Sequence, residues 1–318
     1  MICFAGRSDR QFFQEGEMKS MTESDYTKKK SPDFTIGINE IGLISKLVTQ
    51  PYEEVWDTIC DLGATSVELC VIPDHSDRIR AYAEEAARKY PVGMPPCLCK
   101  GEAVFDFAKT IQDHGLALCS CHLLLCEAYP ELVEESVPYM LQIGKRTGIS
   151  QFVISCMFDS ACKVNSFLKP IQSAAAALKA EGMTLCYHNH HMDSMPLENG
   201  KTAMEMVLEN CPDCMIQLDI GWAWYGLMDS VSFMKQHGDR IASIHLKDLT
   251  KDARERTDDG RFTAIGSGAV PTEEALKHLH LCPPAPDHLI IDQDASSKDM
   301  YEEIRSGIRF VKECLRKD

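Results

Sequence analysis

Eight short runs of apolar residues punctuate the chain. They are FTIGI (34–38), SVELCVI (66–72), LALCSCHLL (116–124), QFVISCM (151–157), MTLCYHNH (183–190), CMIQLDI (214–220), RIASIHLKD (240–248) and HLIIDQD (288–294). Near-continuous apolar runs of this length suit parallel strands covered on both faces. Between them lie segments with apolar residues at helical spacing. These are YEEVWDTICDLG (52–63), AVFDFAKTIQDHG (103–115), ELVEESVPYMLQIGKRTG (131–148), FLKPIQSAAAALKAEG (167–182), KTAMEMVLEN, DSVSFMKQHG, TEEALKHLH and a last helix near 297–316. Most end in glycine just before the next run, a helix stop. Strand and helix alternating eight times predicts an α/β fold, a (β/α)8 TIM barrel, over residues 34–318. The rival is an open doubly wound sheet, which usually carries a GxGxxG turn after its first strand; NEIGLISKL stands there instead. Residues 1–33 read as a polar, flexible extension. The segment 74–100 reads as an extra helix and a Pro/Cys-rich loop over the top of the barrel.

Composition narrows the setting. The chain has 318 residues and a net charge of −15, which repels phosphate backbones and argues against a nucleic-acid partner. No apolar run approaches the roughly 20 residues that span a membrane, and no basic start leads into an apolar stretch as in a secretory signal. Its 15 cysteines include Cys70, Cys119, Cys121, Cys156 and Cys186 inside apolar runs, as expected of buried free thiols in a reducing cytoplasm. Cys211 and Cys214 form a CxxC without the second pair a structural zinc wants. A homo-oligomer is left open.

The chemistry lies at the strand ends. A buried strand carries charge only at a cost, yet Glu68, His122, His188, His190, Asp219, His245, Lys247, Asp292 and Asp294 gather at the last positions of the runs. In a barrel those ends meet at one mouth, where active sites lie. Side chains two apart on a strand share a face, so His188 and His190 point together, as do His245 with Lys247 and Asp292 with Asp294. Singly, each residue has a structural reading; Asp219 could simply cap a turn. Together they form a mixed N/O set suited to a divalent ion: Mn2+ first, or Zn2+, Co2+ or Mg2+. Trp222, Trp224 and Tyr225 form either a wall against a sugar or packing under a loop. Gly266 and Gly268 either let backbone approach a substrate or make a turn.

In order, YHNHHMDS, LDIGWAWYG, HGDRIASIHLKD, AIGSGAV and LIIDQD resemble the sugar phosphate isomerase/epimerase family of xylose isomerase-like barrels, in its subgroup with a YHNH strand. The resemblance runs from about Phe34 to the C-terminus. It implies a metal held by Glu, Asp, His and Glu on strands five to eight. Here those positions are His188, Asp219, His245 and Asp292. The family's two ligand glutamates also move protons, and a metal-bound His188 is a poor base. That shifts the acid/base work to His190, whose family counterpart contacts substrate, and to Lys247, which a nearby dication should help to deprotonate. Glu68, His122, Trp222 and Asp294 are left as candidates to bind substrate.

The resemblance implies a metal-dependent isomerase or epimerase acting on a sugar, keto-sugar or cyclitol through an enediolate. Close behind stands a dehydratase or lyase on keto-inositols or keto-glycosides. A non-catalytic sugar-binding accessory subunit is a third reading, opposed by the complete ligand set. An endonuclease on abasic DNA is a fourth, opposed by the acidity and by a ligand set sufficient for one metal.

Overall fold

All eight apolar runs become parallel strands in a computed structural model that describes residues 34–71, 102–123, 129–282 and 288–316. In chain order they are β1 (Thr35–Asn39), β2 (Ser66–Val71), β3 (Ala117–Leu123), β4 (Gln151–Ile154), β5 (Thr184–His188), β6 (Cys214–Asp219), β7 (Ile241–Leu246) and β8 (His288–Ile291). Each pairs with its neighbours in sequence, and β8 closes on β1. The barrel is complete because no strand is left as an edge with unpaired backbone groups. The proposed extension 1–33 and the helix and loop of 74–100 lie outside the described residues. Among the described residues no helix is long and apolar enough to cross a membrane.

The helices bury one face against the strands. In Tyr52–Leu62 that face is Val55, Trp56, Ile59 and Leu62, spaced at three and four residues. Its stop is Gly63, at φ 93° in the left-handed region that glycine enters without a Cβ clash. Two helices depart from the sequence reading. The segment 131–148 is broken into Pro130–Glu135 and Val137–Thr147. Pro138 has no N–H for the carbonyl of Glu134, so the turn cannot continue. The helix placed at 167–182 starts earlier, at Ala161, where Ser160 caps it by accepting from the Lys163 N–H.

Every cysteine among the described residues is free, and Cys211 and Cys214 sit in no metal-binding group there. Instead each thiol donates to a main-chain carbonyl, of Leu168 and Met215 respectively.

After β7 the chain makes a short antiparallel pair, Asp248–Leu249 with Phe262–Thr263. The glycine-rich turn that follows is clamped by Asp248, whose Oδ2 accepts from the Gly266 and Gly268 N–H groups and whose Oδ1 accepts from Val270. A Cβ on Gly268 would lie 2.2 Å from Asp248 Oδ1 and 2.3 Å from the Leu249 carbonyl oxygen. Gly268→Ala is therefore expected to cost about 1–3 kcal/mol. A denaturant midpoint equal to that of the parent protein would contradict this packing.

Candidate metal centre

Strands β5 to β8 bring the ligand candidates together. Register sets His188 beside Gln217 and Asp219 beside His245. His188, Asp219, His245 and Asp292 are all buried, and each offers a donor atom within 4.8 Å of the others. Each is held from behind. Asp219 does cap a turn, as its Oδ1 accepts from the Trp222 N–H at 2.7 Å. The side chain of Asn189 clamps the Asp219 backbone, accepting from its N–H at 2.9 Å and donating to its carbonyl at 3.1 Å. His188 Nδ1 lies 2.9 Å from Gln217 Oε1, and His245 Nδ1 lies 2.9 Å from Asp292 Oδ2. This holding leaves Asp219 Oδ2 and Asp292 Oδ1 buried without a hydrogen-bond partner. Two imidazoles, two carboxylates and orphaned carboxylate oxygens form a donor set that fits a divalent ion.

Protons compete for the same atoms. Burial opposes the charge on His245, but Glu68 and Asp292 overcome it and push the imidazole up to about 10. Burial pushes the Asp219 carboxyl up to about 7 despite the nearby Lys247 ammonium. A cation binding here must displace these protons, so its apparent affinity rises with pH. Loading with Mn2+ at pH 7 is expected to release roughly one to two protons per chain. Binding without proton release in a weakly buffered titration would contradict this balance of charges.

Lys247 and His190 stand next to the ligands with opposite character. Lys247 Nζ lies 2.6 Å from Asp294 Oδ2, 3.0 Å from Asp292 Oδ2 and 3.7 Å from Asp219 Oδ2. Burial alone would depress the amine, yet these carboxylates hold it well above the ordinary lysine range. With Asp219 and Asp292 free of a cation, its surroundings thus favour the ammonium; the free base expected from sequence concerns the ion-loaded site. His190 follows β5, half-buried, with its ring near those of His188 and Trp222. Burial, then the Lys247 charge, push it down to about 3, so it is a neutral imidazole.

Of the residues expected to bind substrate, His122, Trp222 and Asp294 line a cavity of about 650 Å³ together with His188, His190, Lys247 and Asp292. That volume falls in the usual small-molecule range. Glu68 does not reach this cavity. It is fully buried and accepts from Asn39, Ser120 and Gln217. Trp222 is the aromatic wall, with Lys247 Nζ 4.8 Å from its ring centroid. Trp224 instead packs under Arg254 at 4.0 Å, and Gly266 backs onto Phe310, away from the cavity.

Sequence reasoning missed a polar layer beneath the ligands: Gln151, Gln217, Ser243 and Ser120, with Asn39 and Glu40 at the end of β1. Gln217 was within reach of parity, being two residues before Asp219 on one strand face. Glu40 accepts from the Cys70 N–H at 3.0 Å, and burial holds its carboxyl well above the usual range. Glu68, Cys70 and His122 also lie within 4.8 Å of one another. Their chemistry suits a cation less well, because both Glu68 oxygens are engaged. Burial and the nearby Glu40 and Glu68 carboxylates push the Cys70 thiol well up, away from the thiolate that binds metal.

Residues 56–314 match the xylose isomerase-like TIM barrel family. An inosose dehydratase from Clostridium perfringens is 28% identical over 122 residues, which is 34% of this chain and 40% of that protein. The match therefore spans less than half of that relative. A sugar phosphate isomerase/epimerase from Parabacteroides distasonis superposes with a TM-score of 0.67 at 17% identity, over 87% of this chain and 95% of that one. The IolI protein with a bound zinc atom superposes with a TM-score of 0.63 at 13% identity, over 89% and 99% of the two chains.

Proposed function

The chain belongs to the xylose isomerase-like TIM barrel family, and on that premise we propose that it is a divalent-metal-dependent lyase. It would remove a carbon-bound proton beside the carbonyl of a keto-sugar or keto-cyclitol and expel the β-hydroxyl. His188, Asp219, His245 and Asp292 would hold the ion. Mn2+ suits this set best, with Zn2+, Co2+ and Mg2+ as alternatives; the bound zinc of the IolI protein supports a divalent ion without choosing among them. When bound, such an ion supplies Lewis-acid polarisation of a carbonyl and a neighbouring hydroxyl.

The observation that carries the proposal is the unlike pair at the cavity wall. His190 is a neutral imidazole with a lone pair to accept a proton. Lys247 is an ammonium that Asp294 still holds at 2.6 Å when Asp219 and Asp292 serve elsewhere. In the proposed reaction the Cα–H proton goes to the His190 ring. The C–H electrons form the C=C bond, and the β C–O bond breaks as its oxygen takes a proton from Lys247 Nζ. Water is the product of that last transfer. A reversible epimerase needs two groups that exchange the roles of acid and base, whereas here a ring that burial keeps neutral stands beside an ammonium held by carboxylates. The partial match to an inosose dehydratase supports the same chemistry.

The test is incubation of the Mn2+-loaded protein in D2O with a panel of ketoses, keto-inositols and 3-keto-glycosides. The expected product is lighter by one water, or by the β-linked group. Deuterium incorporation at unchanged composition would instead point to an isomerase or epimerase.

A further inference from the structure

We propose that Glu68, acting through Gln217, sets which ring nitrogen of His188 is free to bind the ion. It is a positioning residue beneath the centre and not a ligand. The inference rests on the metal-centre reading and adds to it the origin of the His188 tautomer.

Glu68 Oε2 accepts from Ser120 Oγ at 2.6 Å and from Gln217 Nε2 at 2.6 Å. A carboxylate only accepts, so Gln217 must turn its NH2 group toward Glu68; the reverse amide orientation would set two acceptors in contact. Gln217 Nε2 also donates to Ser243 Oγ at 3.2 Å, which agrees with that orientation. The Gln217 oxygen is thereby aimed at His188 Nδ1, 2.9 Å away. An amide oxygen only accepts, so Nδ1 keeps its proton. The Nε2 lone pair of His188 is then left facing Asp219 Oδ2 at 4.0 Å.

The other Glu68 oxygen reaches the second histidine. Oε1 accepts from Asn39 Nδ2 at 2.8 Å and lies 2.8 Å from His245 Nε2, off the line of an ideal hydrogen bond. Nδ1 of His245 lies 2.9 Å from Asp292 Oδ2, so carboxylates flank both nitrogens of that ring and Glu68 does not choose between them. Residues on β2 and β6 thus fix the tautomer of the ligand candidate on β5. Partners in this position orient ligands and raise their affinity, typically by about 10–100-fold. Glu68 is fully buried and is not among the described residues that line the cavity, so this role accounts for a charged residue set beneath it.

Two measurements test it without turnover. In Zn2+-loaded native protein labelled with 15N-histidine, two-bond 1H–15N spectra should show His188 bound through Nε2. Binding through His188 Nδ1 overturns the proposal while leaving the metal centre standing. No Zn2+ uptake by the native protein overturns both. The second measurement is Zn2+ affinity by chelator competition. Glu68→Gln sets two amides face to face and should weaken binding about 10–100-fold. The exchange Glu68→Gln with Gln217→Glu restores every donor–acceptor pair at the same net charge and should recover most of that loss. Both variants are nearly isosteric, so a packing role would leave affinity unchanged in each. An unimpaired Glu68→Gln, or an exchange no tighter than the single variant, sinks the proposal.

Discussion

His245→Ala is expected to empty the metal centre while leaving the barrel folded. His245 is wholly buried, its Nδ1 lies 2.9 Å from Asp292 Oδ2, and it offers one of the four donor atoms that converge. Its loss removes a ligand outright, so the fall in affinity should exceed the roughly 10–100-fold typical of an outer partner. The barrel itself rests on eight paired strands and their apolar outer faces, which the substitution does not touch. Mn2+ content after gel filtration, beside a far-ultraviolet dichroism spectrum, separates the two effects. A folded variant that keeps one tightly held ion would show that His245 is no ligand.

His190→Ala and Lys247→Met are expected to do the reverse, retaining the ion and losing turnover. Both side chains line the cavity beside the ligand set, where a chelated substrate would rest. General acid/base groups contribute about 10²–10⁴-fold in rate, and the loss should fall mainly on kcat. Lys247→Met also strips Asp292 and Asp294 of their cation. Breaking a buried pair costs about 3–5 kcal/mol, so the metal-free variant should unfold more readily than the loaded one. If His190→Ala comes out metal-free while His188→Ala stays loaded, the two histidines must exchange roles.

The barrel was legible because its physics is local. Each strand is a run of apolar residues, and each helix repeats its apolar face at three and four residues. That polar residues at the strand ends gather at one mouth was legible by parity and barrel closure; the choice of His188, Asp219, His245 and Asp292 among them came from the family resemblance, and the structure brings those four together. What lay beyond reach were pairings set by closure of the barrel. Glu68 read as a substrate contact because its strand-end position matches that of the ligands. Its actual partners include Gln217, 149 residues away. Lys247 read as a base because a nearby dication lowers an amine, and the counterweight of Asp294 is 47 residues further on. The break before Pro138 was readable from that proline. A turn at Gly266 and Gly268 was one of two readings, but its clamping by Asp248 and Phe310 was not readable, because these come from distant elements.

The most direct measurement is an equilibrium titration of the purified protein, stripped by chelator, with Mn2+ and Zn2+ at pH 7.5, read by calorimetry and metal analysis. The account predicts one tightly held ion per chain, with that stoichiometry lost in His245→Ala and kept in His190→Ala. No saturable uptake by the native protein would contradict it, as would an ion that survives removal of His188, Asp219, His245 and Asp292 together.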